Sequence, residues 1–389
     1  MQHIFRKILA PVLAGIFLLT HTTNASAQPL EESASLSLSS PAYILMEAET
    51  GTVIFEKNAD EKRQTASLVK LMSLLLFMEH LENGAVTLKD TITVSPAAAA
   101  TPGSTALLDA GASYPLDDLL RASIVASGND STVALAEYIA GTEEAFVQKM
   151  NDRAKELELQ NTHYVNCTGL TAEEQYTCAR DVGILACTLS KYPLYFTYSS
   201  LWLSNITHPS GRVTDLTNTN RLVRFYSGCD GMKTGSSNEA KYCISATASK
   251  NGMRLIAVIL GANNSQTRFD EARSMLEYGF ATYKRTEIIS SGELTGYQVP
   301  VTRGAKEEAS IAAGKGLSML LKAGQESQLS IEMQLPQSIQ APMSAGTCVG
   351  SIQVLLAGRM IAELPAVLAE DVRLPGLFEG FMRILEGWR

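Results

Sequence analysis

Histidine is scarce in this chain. Only five occur in 389 residues, and no His-x-His, His-Glu-x-x-His or Cys-x-x-Cys is present. Zinc sites draw on such spacings, so the chain does not read as a zinc hydrolase or zinc module, and no metal is expected. Basic charge is also short. Lys plus Arg is 32 against 40 Asp plus Glu, a net charge of -8, with no Lys/Arg block. Phosphate neutralisation supplies most nucleic-acid affinity, so no nucleic-acid partner is expected. Long apolar runs are missing too. The apolar stretch Ile8 to Thr20 is too short to cross a bilayer comfortably. No internal repeat or long low-complexity segment occurs.

The remaining composition is that of a globular protein, with 46% apolar and 19% charged residues over a length that suggests two domains or more. Residues 1–27 read as a secretory signal. His3, Arg6 and Lys7 form a basic start, the apolar stretch follows, and Ala25-Ser26-Ala27 is a small-residue cleavage site. An uncleaved N-terminal anchor is the alternative. Export permits disulfides among Cys167, Cys178, Cys187, Cys229, Cys243 and Cys348. A chain of this size does not need them as staples, so free buried thiols are expected, with a disulfide framework as the alternative.

Residues 28–41 are Ser-rich and read as a linker. Tyr43 to Glu56 reads as two short strands around a Glu49-Thr50-Gly51 turn. Residues 67–82 are apolar nearly all round and end at Asn83-Gly84, which predicts a buried central helix. Helical patterns recur at 115–127, 129–140 and 142–158. Residues 229–261 read as strands with a turn at Ser236–Glu239, and Arg268 to Tyr283 as a helix packed on them. Centring that turn near Ser237 pairs Cys243 with about Met232, which puts Cys229 and Cys243 on opposite faces and predicts no bridge between them. The pattern then changes. Residues 287–371 hold short alternating runs separated by Gly and Pro, which predicts a small all-β domain after a first domain over 42–286. Residues 372–389 return to a helical period. Leu374, Leu377, Phe378, Phe381, Ile384, Leu385 and Trp388 share one face, with Glu379, Arg383 and Glu386 opposite. Such a helix suits the membrane interface; docking on the β domain is the alternative.

Three short motifs carry the chemistry. In Ser67-Leu68-Val69-Lys70 the serine and lysine lie one helical turn apart, so the amine can reach the hydroxyl. A serine at a helix start also sits near the positive end of the macrodipole, which favours a developing alkoxide. The lysine must be neutral to act as a base, and burial beside a second cation would depress its pKa. Ser127-Gly128-Asn129 lies between two helical patterns, where a loop can carry side chains into a cleft. Lys233-Thr234-Gly235 falls near the end of a predicted strand and offers a cation, a hydroxyl and a residue against which a substrate backbone can lie. Alone, each has a plainer reading: a helix cap with a surface lysine, a helix cap by Ser127 or Asn129, and a strand end with a turn.

Together, in this order and spacing, they form the motif set of β-lactamases and penicillin-binding proteins. The chain resembles the low-molecular-mass penicillin-binding proteins, specifically the serine D-alanyl-D-alanine carboxypeptidases. Ala42-Tyr-Ile-Leu-Met46, Ser127-Gly-Asn-Asp130, Asn161-Thr-His-Tyr164, Gly169-Leu170, Ala179-Arg-Asp181, Asp230-Gly-Met-Lys-Thr-Gly235 and Met253-Arg-Leu-Ile-Ala-Val258 extend the resemblance over about residues 40–389. It implies a mixed α/β transpeptidase fold, with an antiparallel sheet flanked by helices, then the β domain and an anchoring tail. It implies removal of terminal D-Ala from peptidoglycan stem pentapeptides on the outer face of the membrane, without a cofactor, and covalent inhibition by β-lactams.

By the same resemblance Ser67 is the nucleophile, Lys70 its base and Ser127 the proton relay to the leaving amine. Asn129 holds the peptide. Lys233 binds substrate and depresses Lys70. Thr234 and Arg268 read the terminal carboxylate, Gly235 lines the strand, and the amides of Ser67 and Ser236 form the oxyanion hole. The family usually has a larger residue and then Thr after Lys-Thr-Gly, where Ser236 and Ser237 stand here. Three other functions compete. A β-lactamase would need a deacylating Glu, which Glu156 imitates only loosely. An endopeptidase is closer kin, and an inactive wall-binding module would not need the intact motifs.

Overall fold

The structure is a computed structural model that describes residues 36–378 and 381. The expected signal segment 1–27, most of the expected linker and most of the expected tail helix lie outside the described residues.

The first part of the chain opens with β1 (Ala42–Glu47) and β2 (Val53–Lys57) and then a 3-10 turn, Ala66–Val69, that runs into α1 (Lys70–Glu82). Short strands β3 (Thr91–Thr93) and β4 (Ser113–Pro115) flank α2 (Pro96–Ala99). Helices α3 (Leu116–Val125), α4 (Asn129–Ala140), α5 (Glu143–Glu156), α6 (Ala179–Leu189) and α7 (Pro193–Ser199) follow, then the hairpin β5 (Leu203–Thr207) and β6 (Val213–Thr217). After α8 (Leu222–Phe225) come β7 (Cys229–Ser237), β8 (Lys241–Lys250), β9 (Met253–Ala262) and α9 (Ser265–Thr282).

Five strands form one antiparallel sheet in the order β2-β1-β9-β8-β7. Leu255 to Leu260 are wholly buried because β9 is covered on both faces, which is why its sequence is an unbroken apolar run rather than an alternation. Ile256, Val258 and Leu260 belong to the core that α1, α3, α4, α5 and α6 also fill, with α6 lying on β9, whereas Leu255, Ala257 and Ile259 belong to the core shared with α9. Helix α1 is the pillar of the larger core. Leu71, Met72, Leu74 and Leu75 have no exposure, and neither do Lys70 and Ser73. A helix buried all round has no polar face to offer, so the lysine at its start is desolvated as a consequence of the packing.

The β7–β8 hairpin corrects the register expected from its turn residues. Strand β7 continues through Ser237, which pairs with Lys241, so Cys243 lies opposite Gly235 rather than Met232. The two cysteines nevertheless face opposite sides, Cys229 in one core and Cys243 in the other, and both are free. A bulge between Cys229 and Gly231 causes this. It shifts the pairing by one residue, and one residue exchanges the faces.

Strands resume directly at the end of α9. Strand β10 (Tyr283–Ile289) runs across the expected division at 286/287 and pairs with β13 (Leu317–Lys322). The six-stranded sheet combines β11 (Leu294–Thr302), β12 (Glu308–Ala313), β14 (Leu329–Gln334), β15 (Ile339–Gln340), β16 (Cys348–Leu356) and β17 (Arg359–Leu368) around a third small core.

Candidate active site

Ser67 lies in the 3-10 turn before α1, half-buried, and Lys70 is the first residue of the helix, with no exposed surface. Lys70 Nζ stands 3.2 Å from Ser67 Oγ, 2.5 Å from Asn129 Oδ1 and 2.7 Å from the carbonyl of Thr168. Asn129 Oδ1 and a backbone carbonyl are acceptors only. They take two N–H groups of Lys70, and the third position, facing Ser67, holds either a proton or the lone pair. Burial depresses the amine to a pKa of about 7, against opposing contributions from the Cys167 thiol and Asp130, so near neutral pH the lone pair is available to the Ser67 hydroxyl. Desolvation dominates this shift, rather than the second cation expected from the sequence.

The Thr168 carbonyl was not legible as a site element. Asn166 Oδ1 accepts from the amides of Thr168 and Gly169 and folds this turn. Gly169 has φ +85°, and a Cβ there would sit 2.0 Å from the Ala66 carbonyl oxygen, so only glycine lets the turn lie against the nucleophile's segment.

The second motif sits on the other wall. Ser127 has φ +61°, an uncommon conformation for a non-glycine residue, and its Oγ is buried with no hydrogen-bond partner among the described residues. Neither Ser127 nor Asn129 caps α4, whose cap residue is Gly128. The Asn129 amide was expected to hold the peptide. Here its Oδ1 accepts from Lys70, and its Nδ2 donates to the Pro102 carbonyl at 2.6 Å. Asp130, whose place in the site sequence reasoning missed, accepts from the amides of Ala106, Leu108 and Ser131. It thereby ties the loop after Pro102 to the start of α4. An acid in the first turn of a helix was the available signal.

The third motif forms the facing edge. Strand β7 is the last strand of the sheet, so one side of its backbone is open. A Cβ on Gly235 would lie 2.3 Å from the Thr65 carbonyl oxygen and 3.1 Å from the Ser67 amide nitrogen. Glycine is therefore what brings the strand and the nucleophile's amide together, with Ser236 exposed just beyond. Lys233 is wholly enclosed, and among the described residues its Nζ donates only to the Thr234 carbonyl, at 3.3 Å. Burial first, then Lys70 and Arg268, push its pKa well below the usual lysine value. An anion beside it would restore the charge, so its cationic character is conditional rather than fixed. Thr234 Oγ1 donates to Thr219 Oγ1 at 2.8 Å.

Arg268 comes up from α9 on the opposite face of the sheet and is buried. It donates to the carbonyls of Gly235 at 2.9 Å and Cys243 at 3.2 Å, while its Nε has no partner among the described residues. Burial lowers its pKa to about 10. In this arrangement it braces the hairpin directly behind Gly235.

Comparison with known proteins agrees in extent and in kind. The D-alanyl-D-alanine carboxypeptidase family (Peptidase_S11) matches residues 24–264, and the C-terminal domain of penicillin-binding protein 5 matches 283–373. The D-alanyl-D-alanine carboxypeptidase DacF of Bacillus subtilis is 35% identical over 98% of this chain and 99% of its own length. DacC of Escherichia coli is 34% identical over 95% of this chain and 92% of its own length. The crystal structure of penicillin-binding protein 5 from Haemophilus influenzae superposes with a TM-score of 0.76 at 28% identity, over 88% of this chain and all of that one. With an antiparallel sheet between helical layers, a following β domain, and a buried lysine joined to a helix-start serine, the chain belongs to the D-alanyl-D-alanine carboxypeptidase family of penicillin-binding proteins.

Proposed function

We propose that the enzyme trims the terminal D-Ala from peptidoglycan stem pentapeptides by acyl transfer to Ser67. The observation that carries this reading is the coordination of Lys70, whose two filled acceptors leave its lone pair to Ser67 Oγ. Lys70 takes the hydroxyl proton as Oγ attacks the penultimate carbonyl, and the oxyanion settles on the amides of Ser67 and Ser236. The proton passes through Ser127 to the amine of the leaving D-Ala. Lys233, Thr234 and, through the strand it braces, Arg268 hold the terminal carboxylate. Water then hydrolyses the ester, with Lys70 again as base. A β-lactam follows the first half of this path and stays on Ser67. Mass spectrometry of purified pentapeptide after incubation tests the reading: release of a single D-Ala supports it, and cleavage of cross-linked dimers in its place would overturn it.

The same reading divides the chain into the catalytic part 42–286, the β-rich part 287–371 and the tail 372–389, and places the enzyme outside the cytoplasm on the membrane surface. Among the described residues no helix is long and apolar enough to cross a membrane. Leu374, Leu377, Phe378 and Phe381 are 51%, 98%, 77% and 57% exposed. This favours an interfacial tail over one docked on the β domain. A chain ending at Glu370 should be soluble and active; if it still sediments with membranes, the attachment lies elsewhere.

A further inference from the structure

Strand β7 has a direction relative to the chemistry. Lys233 and Thr234, the carboxylate anchor, precede Gly235, and Ser236, the oxyanion donor, follows it. A stem peptide held this way points its leaving D-Ala toward Lys233 and its acyl portion toward the β7–β8 turn. At that end of the sheet an open cavity of about 600 Å3 lies between Glu61–Gln64, Glu239–Lys241 and the end of β9. Its walls carry both signs of charge: Glu61 and Glu239 beside Lys62, Arg63 and Lys241.

Two of these groups are held in place. Arg63 pairs with Glu61 at 3.4 Å, and its Nη1 would lie 3.0 Å from a Cβ on Gly261, so the guanidinium rests on the end of β9. Its Nε is buried without a partner among the described residues. Glu239 accepts from Thr171 Oγ1 at 3.0 Å, which ties the turn to the loop that carries the Thr168 carbonyl. Gln64 is three residues before Ser67 and Glu239 three after Ser236, so both walls begin within about 11 Å of the nucleophile and the oxyanion donor. An extended stem places the end of a long side chain on the residue before the acyl D-Ala at about the same distance.

We propose that this cavity is the subsite for the side chain of the third stem residue. It selects a side chain that ends in an amino-acid zwitterion, with the ammonium between Glu61 and Glu239 and the carboxylate on Arg63 and Lys241. The assignment rests on the carboxypeptidase reading and adds the substrate's branch to it.

The test uses the full enzyme and three N-acetylated peptides, X-D-Ala-D-Ala, where X is diaminopimelate, lysine or norleucine. These end in a zwitterion, an ammonium and a methyl group. Wild type should turn over the diaminopimelyl peptide with kcat/KM at least tenfold above the norleucyl peptide, with lysyl between them. Glu239→Gln keeps an acceptor for Thr171 and should lower the diaminopimelyl and lysyl values alike, by threefold or more. Lys241→Asn suits the positive φ of that position and should lower the diaminopimelyl value alone. Both variants should leave the norleucyl peptide and the rate of penicillin labelling unchanged. Equal turnover of the three peptides by wild type overturns the subsite while leaving the carboxypeptidase reading intact. A preference that survives in both variants places the selection outside this cavity and also overturns it. Failure to release D-Ala from any peptide, with penicillin labelling absent, overturns the underlying reading and the subsite with it.

Discussion

Asn129→Asp is the sharpest test of Lys70 as the base, because it changes charge with almost no change of shape. The amide oxygen lies 2.5 Å from Lys70 Nζ in a buried site. A carboxylate there, with charge centres ~4 Å apart and an effective dielectric of ~20, stabilises the ammonium by ~4 kcal/mol. That corresponds to ~3 pKa units. The carboxylate's own desolvation, and loss of the bond from Nδ2 to the Pro102 carbonyl, reduce the net effect to about 2 units. The pKa of Lys70, about 7 in the native enzyme, then rises to about 9. The neutral fraction at pH 7 falls from about one half to about one in a hundred.

The assay is the second-order rate of acylation by a fluorescent penicillin as a function of pH. Wild type should lose acylation as pH falls through about 7, because protonation of Lys70 removes the base. In the variant the rate at pH 7 should drop roughly fiftyfold and recover as pH rises toward 9. Asn129→Ala supplies the control. It loses both hydrogen bonds and adds no charge, so it should slow acylation while its acid limb stays at or below the wild-type position. An Asn129→Asp enzyme with an unmoved acid limb and a native melting curve would refute Lys70 as the general base.

Gly235→Ala should fold but acylate at least roughly a hundredfold more slowly, since its Cβ needs space now filled by the Thr65 carbonyl and so displaces the nucleophile's amide; an unchanged penicillin-labelling rate would contradict that placement. Arg268→Ala should lower kcat/KM for free-carboxylate peptides by roughly 1.5–3 kcal/mol and also lower Tm, because it strips a charged donor from the Gly235 and Cys243 carbonyls. If C-terminally amidated peptides are turned over as fast as free ones by wild type, carboxylate recognition fails. A non-reducing peptide map should show no 229–243 disulfide, because the bulge at Cys229/Gly231 puts the thiols on opposite faces; finding that bridge would mean the strand pairing is wrong.

Local pattern alone determined much of this protein. An apolar run with no polar face had to become a buried helix, and the Ser-x-x-Lys at its start had to carry a desolvated amine. Alternating short runs after residue 287 announced a β domain, and three motifs in order announced the family. These features depend on residues close together in the chain, where helix period, turn chemistry and spacing act directly. Other features depended on contacts across the fold. The acceptors that aim Lys70 come from residues 59 and 98 positions away, and one is a backbone carbonyl, which every residue type possesses. Asn129 was legible as a site residue but not as a partner of Lys70, because an amide serves substrate or protein equally well until its neighbours are known. Arg268 reaches β7 from beneath the sheet, a direction that spacing cannot encode. The hairpin register escaped as well. Ser236 to Glu239 are all acceptable turn residues, and cross-strand packing, rather than turn propensity, extends β7 through Ser237. The bulge that separates the two thiols is one more choice made by the packed sheet, since one extra residue in a strand leaves no mark on composition or period.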